Sequence, residues 1–363
     1  MIQYRENRLR GVDWNDLESL PPAERAPYFM NGKSVYHVLF AQQFDREFLD
    51  RICELATRTR RIAKTRGGMM FLKELLAEKR AMLYFAQPSS RTFLSFLASC
   101  EILGLRSGEV RDSNTSSEMK GESPEDTVRT FSSYFDMIIM RHPQGGFAER
   151  IAWLLSNSER PIPVINAGSG ADQHPTQALL DVYTLQRSFE GQGGIEGKRI
   201  AFVGDLARGR TVRSLATLMT HYPGVHLSFI APPALQIDEG ILRTLDSAGI
   251  AYELGENLVG KLPDLDAVYM TRIQDEWDTE GESEAIDVSA YAITVERLAL
   301  MKDSAVIMHP LPRRSEISPE VDSDPRAKYW RQVRNGMWIR AALIMNILDR
   351  AGEVDRYYDD LVS

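Results

Sequence analysis

Six short motifs in this chain carry side chains suited to anions and carbonyl groups, and each stands at or just beyond the end of an apolar run. Pro88-Ser89-Ser90-Arg91-Thr92 offers three hydroxyls and a guanidinium where a helix is expected to begin. A helix N-terminus presents unpaired N–H groups and a positive dipole end, so the constellation suits a phosphate. An ordinary N-cap is the competing reading, because Ser and Thr favour that position anyway. Arg141-His142-Pro143 sets a charge directly after four apolar residues, where it must exit into solvent or into a site. In His174-Pro175-Thr176-Gln177, Pro175 suits a first helical turn and leaves His174 and Gln177 able to face one ligand. A neutral histidine donates to a carbonyl oxygen and a glutamine amide reads another amide. A capping histidine beside an incidental glutamine is the plain alternative.

Three further motifs lie in the second half. The segment GDLARGRT (204–211) lacks the GxGxxG spacing, which disfavours NAD and a dehydrogenase; it offers Arg208 and Arg210 instead. In Met270-Thr271-Arg272-Ile273-Gln274, alternation points Arg272 and Gln274 the same way if the chain stays extended. Two arginines from separate strand ends suit a dicarboxylate, each taking one carboxylate bidentately; surface salt bridging is the alternative. In His309-Pro310-Leu311-Pro312-Arg313, two prolines restrict the turn and leave its carbonyls available as acceptors. Lys120, within SNTSSEMKGE, reads on its own as a solvated loop lysine.

Something must position these groups, and the apolar pattern supplies it. Buried strands are expected at 82–85, 137–140 and 164–165, then at 199–203, 226–230, 267–270 and 305–308. Helices are expected at 45–64, 93–103, 124–134, 147–155, 175–189 and 337–350. Strands alternating with helices imply parallel sheets covered on both faces, an α/β architecture in which ligands bind beyond the carboxyl ends of the strands. At 363 residues the chain is long enough for about two domains. GQGGIEG (191–197) is the linker candidate. Residues 1–33, polar and turn-rich, read as an extension outside the main cores. The stretch 275–287 carries seven carboxylates and reads as a solvated loop.

Composition narrows the classes. Net charge is -8, from 43 Lys and Arg against 51 Asp and Glu, which argues against nucleic acid as the main partner. It leaves a small anion open, since local field and donor geometry decide that. No run approaches the ~18 apolar residues of a membrane helix. The two cysteines, Cys53 and Cys100, make neither a disulfide framework nor a zinc site. With no apolar signal core at its N-terminus, the chain is expected to be cytoplasmic.

PSSRT, MRHP, HPTQALLD, GDLARGRTV, YMTRIQ and MHPLPR occur in the order seen in aspartate carbamoyltransferases, and the chain resembles that family from about residue 34 to 348. SxRT and HPxQ are general to carbamoyltransferases, while HPLPR and TRxQ are more aspartate-specific. The ornithine enzymes' SMG motif and loop cysteine do not occur. The resemblance implies two doubly wound parallel-sheet domains: a carbamoyl-phosphate domain (34–190) rejoined by a C-terminal helix (337–352), and an aspartate domain (191–336). It implies carbamoyl transfer from carbamoyl phosphate to the α-amine of L-aspartate, a step of pyrimidine biosynthesis needing no metal or cofactor. At matching positions Ser89, Ser90, Arg91 and Thr92 would hold the phosphate. Thr92, Arg141 and His174 would polarise the carbamoyl carbonyl, and Gln177 with the Pro310–Leu311–Pro312 turn would hold its amide. Arg210 and Arg272 would grip the aspartate carboxylates with Gln274 in support. A homotrimer with shared sites would bring Ser116 and Lys120 from a neighbouring subunit, with larger assemblies open.

Three positions depart from the family pattern. Gln87 stands where a glutamate is usual, Trp277 aligns with an arginine, and Phe93 replaces an arginine after SSRT. The first two would remove both members of a charged pair that bridges domains in the family, leaving neither charge unpaired. Two rival readings follow: a carbamoyltransferase with another amino acceptor, and a catalytically silent homologue acting as an assembly partner.

Overall fold

The computed structural model describes residues 6–111, 121–170, 173–273 and 287–362. The chain divides into two compact units, Met1–Leu179 with Gly336–Ser363, and Leu180–Asn335. Among the described residues, no helix is long and apolar enough to cross a membrane.

In the first unit four parallel strands, β1 (Arg80–Phe85), β2 (Arg106–Val110), β3 (Met137–Arg141) and β4 (Val164–Asn166), lie in the order β2-β1-β3-β4. β1 after Arg80, the first four residues of β3 and all of β4 are buried, as strands covered on both faces must be. The connecting helices are α2 (Ser90–Ile102), α3 (Pro124–Tyr134) and α4 (Phe147–Ser156); α1 (Arg46–Ile62) precedes the sheet. Their ends follow local chemistry: Asp45 caps α1 by accepting from the Phe48 N–H, and Ser123 caps α3 with Pro124 in its first turn. β2 was not anticipated, because its sequence RSGEV is an exposed edge strand with no apolar run to mark it.

The expectation that residues 1–33 lie outside the cores is overturned. Leu9, Leu17 and Phe29 are fully buried and pack with Ile138 and Met140 of β3 and Ile151 and Leu155 of α4. The Trp153 indole N–H donates to the Val12 carbonyl (2.8 Å), and the Asn157 amide donates to that of Leu9 (3.2 Å). The three apolar anchors are spaced irregularly along a turn-rich chain, so no period of 2 or 3.6 betrayed them.

His37 ties the end of this segment to the sheet. It is fully buried, with Nδ1 accepting the Val164 N–H (3.1 Å) and Nε2 2.9 Å from the Ser156 hydroxyl oxygen. Burial pushes its imidazole down from 6.5 to about 3. Between those values the unfolded chain binds a proton that the folded chain refuses. The stability is therefore full above pH 6.5 and drains as pH falls toward 3, by about 3 kcal/mol at pH 4. Denaturant unfolding across that range is expected to follow this slope in the wild type and to flatten in His37→Gln. An equally steep slope in the variant would move the effect to other groups.

The second unit carries β5 (Arg199–Val203), β6 (His226–Ile230), β7 (Ala251–Gly255), β8 (Ala267–Met270) and β9 (Val306–Met308), all parallel, in the order β9-β8-β5-β6-β7. β7, another largely exposed edge strand, was also missed. α5 (Pro175–Ser188) leads into this unit; α6 (Arg210–Met219) follows β5, and α7 (Glu239–Ser247) follows β6. α8 (Tyr329–Ile347) begins eight residues before the expected start at 337, and a further helix, α9 (Ala351–Val362), follows it. The C-terminal half of α8 belongs to the first unit, where the Ser99 hydroxyl donates to the Met337 carbonyl (2.9 Å) and Arg340 donates to the Ser95 hydroxyl (2.6 Å). α9 lies on α1, with Arg51 and Arg58 both paired to Asp355.

Candidate active site

Each sheet has one point at which strand order reverses. In the first it lies between β1 and β3: the chain leaves β1 toward β2 and leaves β3 toward β4. Right-handed crossovers then send the following helices to opposite faces, opening a crevice at the carboxyl ends of those two strands. The loops found there carry QPSSRT and RHP.

α2 opens at Ser90, with Ser89 as its N-cap residue. The Ser89 side chain makes no capping hydrogen bond, contrary to the plain N-cap reading. Ser90 and Arg91 are exposed, and Thr92 turns inward and is buried. Phe93 is core: its ring meets Phe85 edge-on at 5.3 Å, and the Arg111 guanidinium lies 4.3 Å above it.

Arg141 ends β3 half-buried, and its carbonyl accepts the Gln87 N–H (3.2 Å). Its guanidinium and the His174 ring converge on Gly168. A Cβ there would stand 3.0 Å from Arg141 Nη1 and 3.2 Å from His174 Nε2, at a φ of +105° that only glycine tolerates well. Asn166 holds this loop, its Oδ1 accepting from the Gly168 N–H (2.8 Å) and the Ser169 hydroxyl (3.0 Å). The Gly170 N–H donates to the His142 carbonyl (3.1 Å), lacing the loop to the one that carries Arg141. His142 stacks on Phe147 at 3.9 Å, and burial pushes its pKa down to about 4, so it is neutral near pH 7. His174 directly precedes α5 and its carbonyl accepts the Gln177 N–H (3.0 Å), so both stand at one helix entrance.

In the second unit the reversal lies between β5 and β8, where GDLARGRT and TRIQ emerge. Gly204 has φ +110°, and a Cβ there would stand 2.2 Å from the Thr271 carbonyl oxygen, so the two loops cross in direct contact. Thr271 fastens them, its N–H and hydroxyl both donating to the Val203 carbonyl (2.8 and 2.9 Å). The two arginines left open by the sequence separate here. Arg208 turns back to fully buried Asp205, 3.7 Å from its carboxylate, whereas Arg210 is the first residue of α6. Arg272 lies two residues beyond β8, half-buried, its Nη1 donating to the Ile273 carbonyl (3.3 Å).

The third loop of this unit follows β9. Leu311 has φ +59° and its peptide to Pro312 is cis. Its N–H donates to His309 Nδ1 (2.7 Å), and His309 Nε2 lies 2.7 Å from Glu316 Oε1. The hydrogen bond from His309 and the N–H of Arg314 hold the Glu316 carboxyl below its ordinary value, although burial opposes them. Ser116, Lys120, Gln274 and Trp277 lie outside the described residues. Among the described residues, no group of three His, Cys, Asp or Glu is placed to hold a metal ion.

Sequence reasoning missed Asn166, Gly168, Gly204 and Glu316. NAGSG and GDLARG, each glycine-bearing directly after a buried strand, were the available signal for the first three. Nothing in the sequence marked Glu316.

Residues 36–187 match the family model described as aspartate/ornithine carbamoyltransferase, carbamoyl-P binding domain, and residues 196–347 the one described as its Asp/Orn binding domain. This chain belongs to the aspartate/ornithine carbamoyltransferase family. Within that family it is 42% identical over 334 residues to aspartate carbamoyltransferase 1, chloroplastic, of Pisum sativum, covering 90% of this chain and 82% of that one. Identity to the aspartate carbamoyltransferase catalytic subunit of Vibrio cholerae is 43% over 296 residues, 80% of this chain and 92% of that one. Among solved structures, aspartate transcarbamoylase from Trypanosoma cruzi in complex with carbamoyl phosphate and aspartate matches at TM-score 0.77 and 34% identity, covering 86% of this chain and 97% of that one.

Proposed function

We propose that this enzyme transfers the carbamoyl group of carbamoyl phosphate to the α-amine of L-aspartate, giving N-carbamoyl-L-aspartate and phosphate. The observation that carries the reading is the convergence of Arg141 and His174 on Gly168, at the strand-order reversal that also holds the α2 N-terminus. In this reading the carbamoyl-phosphate domain runs over 34–190 with 337–352, and the aspartate domain over 191–336. Ser89, Ser90, Arg91 and Thr92 hold the phosphate with the N–H groups of α2. The neutral amine attacks the carbamoyl carbon, and Thr92, Arg141 and His174 stabilise the oxygen as negative charge develops on it. The carbon–oxygen bond to phosphate breaks, the attacking amine's proton passes to the departing phosphate, and hydrogen phosphate leaves toward Arg91 and the helix end. Gln177 and the carbonyls of the 310–312 turn hold the amide. Arg210 and Arg272 hold the two carboxylates, with Gln274 in support. Alignment of two anions that repel each other in water supplies much of the acceleration.

Assembly and location belong to the same proposal: a cytoplasmic homotrimer whose sites receive Ser116 and Lys120 from a neighbouring subunit. Sedimentation and cell fractionation test these parts.

The deciding experiment is carbamoyl-phosphate-dependent product formation, read by mass spectrometry with aspartate, ornithine and a panel of other amines. Selective N-carbamoyl-aspartate is expected. Arg272→Ala should lower kcat/KM for aspartate about 10²-fold, as loss of a charged bidentate contact does. Turnover with another amine would keep the phosphate half and overturn the acceptor. A folded protein that binds carbamoyl phosphate and carbamoylates nothing would favour the silent assembly partner.

A further inference from the structure

The turn after β9 is held by a chain of buried side chains that the reaction does not use. Leu311, with a Cβ and a φ of +59°, occupies a conformation that persists only where neighbours impose it. The group that imposes it is His309. Because the Leu311 N–H donates to Nδ1, that nitrogen carries no proton, and the proton stands on Nε2 facing Glu316 Oε1. The same carboxylate oxygen accepts the Arg314 N–H (3.0 Å), on the far side of the turn. The His309 and Glu316 side chains are 1% and 5% exposed, so their contact is shielded from bulk water. The backbone of His309 is fixed in turn: its N–H donates to Gln332 Oε1 (2.9 Å), the Gln332 amide donates to Asp181 (2.7 Å), and the Tyr269 hydroxyl donates to the other Asp181 oxygen (2.8 Å). One network thus joins β8, β9, α5 and α8 to the turn.

We infer that Glu316 is a positioning residue for carbamoyl phosphate: it locks His309 in the Nε2–H tautomer, so that Nδ1 holds the Leu311 N–H and fixes the direction of the Pro310 and Leu311 carbonyls. The inference rests on the proposed function, in which those carbonyls take the carbamoyl amide. Without the carboxylate, the Nε2 proton loses this acceptor in a buried site. The ring is then free to place its proton on Nδ1, where it opposes the Leu311 N–H, donor against donor. Charge is not the essential property. A glutamine keeps an Oε1 acceptor at the same reach, whereas an aspartate withdraws it by one methylene.

The test uses the full chain and two readouts. In ¹⁵N-histidine-labelled protein, His309 is assigned by comparison with a His309→Gln sample. The wild type is expected to show Nδ1 unprotonated and Nε2 protonated; a protonated Nδ1 overturns the inference whether or not any variant folds. Carbamoyl phosphate binding is then measured by calorimetry. Glu316→Ala and Glu316→Asp should weaken it about tenfold, the cost of a misaligned hydrogen-bonding pair, while Glu316→Gln stays within about twofold of wild type. A purely structural pair predicts a lowered unfolding midpoint with unchanged affinity in Glu316→Asp, and that result overturns the positioning role alone. A wild type that does not bind carbamoyl phosphate overturns the functional reading instead, and the tautomer signal still reports on the network.

Discussion

Replacing Arg141 by alanine is expected to lower turnover by about 10²–10³-fold, the usual cost of removing one donor aimed at a developing oxyanion. The fold should survive it. Arg141 is the last residue of β3 and half-buried, while the four apolar residues before it carry the strand's packing. Its backbone carbonyl, which accepts the Gln87 N–H, is untouched by the substitution. In the proposed reading the loss should fall on kcat rather than on the KM for aspartate, because a contact to the carbamoyl oxygen strengthens as charge moves onto it. Lysine should rescue poorly: an ammonium is a point charge and cannot reproduce the planar fork that reaches Gly168. Steady-state kinetics beside a thermal unfolding curve check both halves. Near-normal turnover in a folded Arg141→Ala would remove the residue from the catalytic set and leave His174 and Thr92 as the donors to test.

The legible part of this molecule was the part with an uninterrupted physical signal. β5, β6 and β8 fall where their apolar runs place them, and α3 runs from Pro124 to Tyr134 as its capping serine and periodicity require. The edge strands β2 and β7 escaped because a short, largely exposed strand with no continuous apolar run looks like loop. Side-chain chemistry at strand ends was visible for the same reason: Arg141 and Arg272 stand out at the ends of apolar runs, and Arg210 stands in the loop that follows one. What holds those groups was not visible. Gly168 and Gly204 matter through backbone angles and the absence of a Cβ, and Glu316 through a histidine seven residues away. Sequence spacing does not encode such contacts. They exist once the loops are folded against each other.

Removing Arg25 is expected to destabilise the first unit by about 3–5 kcal/mol, the cost of breaking a buried ion pair from one side. Arg25 belongs to the segment that precedes the family-matched residues, which begin at 36. Its Nη1 lies 2.7 Å from Glu149 Oε2 in the first turn of α4, with side chains 14% and 8% exposed. Its guanidinium also lies 5.6 Å from the centre of the Phe40 ring. In Arg25→Met the apolar stem is kept and the charge lost, so the ion pair is broken while Glu149 stays buried. The α4 dipole offsets a small part of that, about 0.5 kcal/mol for a carboxylate in a first turn. For a unit of this size the thermal midpoint should fall by roughly 10 °C. Deleting residues 1–33 outright should be worse, since Leu9, Leu17 and Phe29 each contribute about 1.5–3 kcal/mol of burial against a total stability of about 5–15. The double variant Arg25→Met with Glu149→Leu separates charge from packing, because two apolar groups of similar volume remove both charges of the pair and should recover most of the loss. If the double variant is as unstable as the single one, the stabilisation lies in the guanidinium on Phe40 and the shape of the Arg25 stem, and not in the ion pair.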